Sequence, residues 1–225
     1  MLPFIKAYLR QFGVMSLDPM PQLSRLVIDL RRHPDIEVVK EWGRFVKPID
    51  DPAADYDLRW QRTQEAATRA VPGCELDPAL RPLTDRLVAG REDRVGVSWR
   101  YRLDGVEHNG GEFCWVAPAP PTRAPAWWDD LPAELRNLQE RLCVLEYHPR
   151  AGDAVEVKLE LRAGSAPLWL EHRGELFPMS IGVAEYFERA TEMRGVFGWQ
   201  ALYCDWKDHL HSTREGLADL RQLFP

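Results

Sequence analysis

Val95, Val97, Trp99, Tyr101 and Leu103 occupy alternate positions along one short stretch of the chain. A period of two puts all of them on one face of an extended strand, whereas a helix would scatter them around its circumference. One strand cannot bury such a face alone, so partner strands and a covering layer must follow. Asp104-Gly105 and Asn109-Gly110-Gly111 are turn signals, because these residue types tolerate left-handed backbone. Residues 112–116 then return as an antiparallel neighbour, across a loop longer than a tight hairpin. Residues 143–147, 155–161, 168–171 and 175–177 read as further strands, with turns at Pro149-Arg150-Ala151-Gly152 and Arg173-Gly174.

The first ninety residues have a helical texture. Leu23, Leu26, Val27 and Leu30 recur at helical spacing, and His33-Pro34 stops the run. A weak helix is expected over 35–45, a turn at Asp50-Asp51-Pro52, and a longer helix over 53–71. Asp77-Pro78 supplies an N-cap followed by proline, and Pro82 makes the resulting helix short or irregular, ending at Gly90. In the second half, the prolines of 117–125 mark an extended surface connection. Leu131, Leu135, Leu138 and Leu142 are spaced for one face of a helix with Pro132 in its first turn. Ser180 is placed to cap a helix with the stripe Val183, Tyr186, Phe187, Ala190 and Met193, stopped by Gly195. Residues 198–203 read as a buried turn or short strand. A capping box at Ser212 opens a last helix that buries Leu217, Leu220 and Phe224. The expected fold is α+β: a helical region over 1–90, then a mostly antiparallel sheet flanked by helices over 91–225, packed as one compact unit.

The net charge is −6, and the arginines are interleaved with acids, as in Arg91-Glu92-Asp93-Arg94. Nucleic-acid binding calls for a basic stripe, so this balance argues against it and suits a basic protein partner. No apolar run approaches the ~20 residues that span a bilayer, which argues against a membrane. Lys6 and Arg10 interrupt the apolar start Met1-Leu2-Pro3-Phe4-Ile5, and no signal-peptide cleavage pattern follows. Cys74, Cys114, Cys143 and Cys204 never form a C-x-x-C pair. They are expected as reduced, mostly buried thiols in a cytoplasmic protein.

Candidate sites are few. Asp205-Trp206-Lys207-Asp208-His209-Leu210-His211 has ligand types that suit zinc, but a third protein ligand cannot be assigned, so neither metal nor cofactor is expected. His108-Asn109-Gly110-Gly111-Glu112 is explained as a turn between strands. Cys143 and Cys204 could be nucleophiles with His148 or His209 as base, yet both lie in apolar runs where cysteine behaves as a small hydrophobe. No G-x-S-x-G, Walker or H-E-x-x-H pattern occurs, and no catalytic residue is assigned. Trp127-Trp128-Asp129-Asp130 is the candidate partner-binding patch. In an extended segment two adjacent tryptophans cannot both enter one core, and an exposed ring beside carboxylates suits protein binding. The other reading folds both rings over the sheet edge.

Residues 90–206 resemble the SUKH superfamily, which holds a fungal cell-wall regulator and many bacterial toxin-immunity proteins. The resemblance is carried by Val95-Gly96-Val97-Ser98-Trp99 leading to Gly110-Gly111-Glu112-Phe113, and by the strands of 153–161 and 168–171. It continues in Glu185-Tyr186-Phe187-Glu188 through Arg194-Gly195-Val196-Phe197-Gly198-Trp199-Gln200. It implies an α+β protein without chemistry of its own that holds a partner, in bacteria typically a cognate toxin. Two alternatives stand beside it. One is a hydrolase-like or metal-dependent enzyme using the His148 or His209/His211 region. The other is a regulatory or structural subunit that docks through its N-terminal helices.

Overall fold

A computed structural model describes residues 20–43, 56–86, 94–119, 126–150, 154–206 and 210–225. Its centre is a seven-stranded sheet in simple sequence order, with every neighbouring pair antiparallel. The strands are β1 (Ile36–Trp42), β2 (Arg94–Leu103), β3 (Val106–Val116), β4 (Leu142–Tyr147), β5 (Val155–Glu160), β6 (Leu168–His172) and β7 (Glu175–Pro178). The helices are α1 (Met20–Arg32), α2 (Tyr56–Ala70), α3 (Arg81–Arg86), α4 (Ala133–Gln139), α5 (Val183–Glu192) and α6 (Leu210–Leu223). The fold is α+β, as the alternation and the helical stripes imply. No helix among the described residues is long and apolar enough to cross a membrane.

Two sequence expectations about the sheet need correction. Where a helix was expected over 35–45, residues 36–42 form a strand, and 44–45 lie outside the described residues. This strand is β1, which pairs with β2 from Ile36 opposite Tyr101 to Trp42 opposite Gly96. The β-branched side chains of Ile36, Val38 and Val39 suit a strand, and pairing with β2 overrides a weak helical pattern. The β2–β3 connection is also tighter than expected. Asp104 and Gly105 alone make the turn, with φ of 51° and 81°, the left-handed pair that matches the twist of a two-residue hairpin.

Asn109-Gly110-Gly111 therefore lies inside β3, where the register shifts between Trp99 opposite Gly111 and Arg100 opposite Asn109. Gly110 is the extra residue of this bulge. A Cβ on Gly110 would lie 2.2 Å from the Trp99 ring, and one on Gly111 would lie 2.3 Å from the Gly195 carbonyl oxygen. The glycines serve close approach rather than a turn. The chain leaving α5 crosses β3 there, and the Glu112 N–H donates to the Gly195 carbonyl at 2.8 Å.

The core lies on one face of the sheet. Val95, Val97, Trp99 and Tyr101 of β2 join Phe113 and Trp115 of β3 in one apolar cluster. Val183, Tyr186, Phe187 and Ala190 of α5 belong to it, as do Leu23, Leu26, Val27 and Leu30 of α1. Trp115 meets Phe187 edge-on at 4.8 Å, so the predicted seating of α5 through Tyr186 and Phe187 is observed.

Three helix expectations change. The N-cap of α5 is Gly182, not Ser180. Ser180 instead donates its backbone N–H and its hydroxyl to the Tyr203 carbonyl, at 2.7 and 3.0 Å, tying the entry of α5 to the 3-10 helix Trp199–Tyr203. Ser212 lies inside α6, which starts at Leu210 and buries Leu220 and Leu223, with Leu217 and Phe224 only partly covered. The leucine face of α4 does not enter the core: Leu135 is 44% exposed, Leu131 and Leu138 are half-buried, and Leu142 belongs to β4. Asp77 does act as a cap, its carboxylate accepting the Ala79 N–H at 2.9 Å before a 3-10 turn that leads into α3. The expected helix end at Gly90 and the turn at Asp50-Asp51-Pro52 lie outside the described residues.

The packing over Gly111 gives a sharp test. Gly111→Ala drives a Cβ into a backbone carbonyl that cannot swing aside, and should cost roughly 3 kcal/mol, the upper part of the overpacking range. Chemical denaturation of both proteins measures it.

Candidate functional site: a sealed carboxylate and an open groove

An acidic residue in the middle of an apolar strand is the strongest polar feature of the interior. Opposite β5, β4 shifts register between Val144, which faces Lys158, and Glu146, which faces Val157. Leu145 is the extra residue, and this bulge turns the Glu146 side chain to the core side of the sheet that Val157 occupies. Glu146 is completely buried. One carboxylate oxygen accepts the Trp115 indole N–H at 2.6 Å and the Tyr186 hydroxyl at 2.5 Å. The other accepts the Gln200 amide at 3.0 Å and meets His148 Nε2 at 3.0 Å, a donor in the tautomer that carries the proton there. A carboxylate offers about four lone-pair positions, and each has a partner. Burial, followed by the charge of Glu146 and the hydrogen bond to it, holds the Tyr186 hydroxyl well above its ordinary pKa.

This cluster is closed. The side chains of Glu146 and His148 are 0% and 1% exposed, and the His148 ring packs edge-on against Phe197. His148, named as a possible base, is thus committed to Glu146. Burial pushes the Cys143 and Cys114 thiols up to about 12, so both are protonated at neutral pH and weak as nucleophiles. Cys204 is half-buried with its thiol also raised by burial, and all four cysteines are free. His108 lies in β3 rather than in a turn and stacks on Tyr101 at 5.0 Å, while buried Glu112 accepts the Arg150 N–H at 2.9 Å. Among the described residues no group of three His, Cys, Asp or Glu is placed to hold a metal. His209 and the side chain of His211 lie outside the described residues.

The tryptophan–aspartate segment is a 3-10 helix, Ala126–Asp130, rather than an extended stretch. Trp128 is buried, Asp129 and Asp130 are exposed, and the Trp127 side chain lies outside the described residues. Arg136 of α4 fastens the segment, donating to the carbonyls of Trp128, Asp129 and Leu131 at 3.1, 2.7 and 3.3 Å. Next to α4 runs a groove of about 620 Å³, walled by Leu138 of α4, Trp169 of β6, Val71, and Leu161 with Ala163. Trp169 projects from the sheet face opposite the core, since its neighbours Leu168 and Leu170 are buried in the core. Its indole N–H donates to Glu160 at 3.0 Å, and Arg141 donates to the other Glu160 oxygen at 3.1 Å.

Sequence reasoning missed Glu146 and Trp169. A single carboxylate inside Leu142-Cys143-Val144-Leu145-Glu146 was the available signal for the first. The second needed the pairing of β5 with β6. No family model, curated protein or solved structure matches the chain.

Two measurements probe this interior. Tyr186→Phe removes a hydrogen bond to a buried carboxylate and should cost about 1.5–3 kcal/mol. Glu146→Gln turns an amide N–H toward existing donors and should cost about 3 kcal/mol or more. A double-mutant cycle between them should be strongly non-additive. The second measurement is alkaline stability. The folded Cys114 and Cys143 pKa values of about 12 lie above the unfolded value of about 8.5. Their contribution is therefore full below about pH 8.5 and is lost as pH rises toward 12. Cys143→Ala should flatten the fall of unfolding free energy across that window.

Proposed function

We propose that this protein is a non-catalytic binding module of the immunity type, which holds a partner protein and occludes its working surface. The observation that carries this reading is the division of the molecule into two chemically different sides. Of the groups able to do acid–base or nucleophilic work, Glu146, His148, Cys114 and Cys143 are sealed within it. The opposite sheet face carries an open apolar groove with an indole fixed beside it by Glu160. Binding surfaces concentrate their energy in such pre-positioned aromatic anchors.

The resemblance to the SUKH superfamily supports the same reading. The hairpin that suggested it is β2–β3, its strand pair is β5–β6, and its closing tract is α5 with the chain through Gln200. The net charge of −6 and the exposed Asp129 and Asp130 favour a basic partner. In a bacterial setting the partner is a toxin domain met in the cytoplasm, and its gene would neighbour this one.

The test is calorimetric titration of the full chain with the protein encoded next door. A one-to-one complex that silences the partner's activity is the expected result, and failure to bind would overturn the reading. Reversing Asp129 and Asp130 to lysine should slow association with a basic partner more at low salt than at high salt. Stopped-flow association at two ionic strengths gives that comparison.

A further inference from the structure

We draw no further inference here: the strongest candidate, the groove of about 620 Å³ between α4 and β6 walled by Leu138, Leu161 and Trp169, sets Glu134 and Glu160 against Arg141 and Arg162, so its charge selects no occupant and nothing in the structure shows what covers it.

Discussion

The carboxylate of Glu146 is the point on which separate parts of the chain close. β3 reaches it through Trp115, α5 through Tyr186, the 3-10 helix Trp199–Tyr203 through Gln200, and the end of β4 through His148. Removing a carboxylate from water costs several kcal/mol, which hydrogen bonds offset only if nearly all of them form. The arrangement is therefore close to all-or-none. A register slip in β4, or a shifted α5, would leave a buried acid without its donors. A leucine at this position would pack with less desolvation cost, but it would not select one alignment of these elements over another.

The chain leaving α5 carries this constraint across to β2 and β3. Arg194 and Gly195 adopt left-handed φ of 51° and 67°, and the Arg194 carbonyl accepts the Trp99 indole N–H at 2.8 Å. Gly195 then lies on Gly111, and a few residues later Gln200 reaches Glu146. The opposite face of the sheet is built from different side chains. There the polar groups are also paired, Lys158 with Glu156 and Glu171, and Trp169 and Arg141 with Glu160. Beside these pairs lies the groove walled by Leu138, Leu161 and Trp169.

Strong local periodicity was readable from the sequence, and placement across the fold was not. The alternation on β2 and β5 and the stripe of α5 survive intact, because a wrong register or face would expose large apolar side chains. β1 was missed because its partner lies more than fifty residues away, and only that pairing makes a strand of it. The glycines of β3 look like a turn in the sequence because their purpose, the approach of Trp99 and Gly195, comes from distant segments. Glu146 was missed because its burial depends on a bulge that local pattern does not encode. Leu138 matched one face of a helix, and only the fold places it beside Trp169 in a groove.

Hydrogen exchange on Glu146→Gln, kept under conditions where the variant remains folded, tests the role of this carboxylate most directly. The account predicts that β3, α5 and the 3-10 helix Trp199–Tyr203 lose protection together, with β6 and β7 affected less. Loss confined to β4, with α5 and the 3-10 helix protected as in the parent, would contradict it.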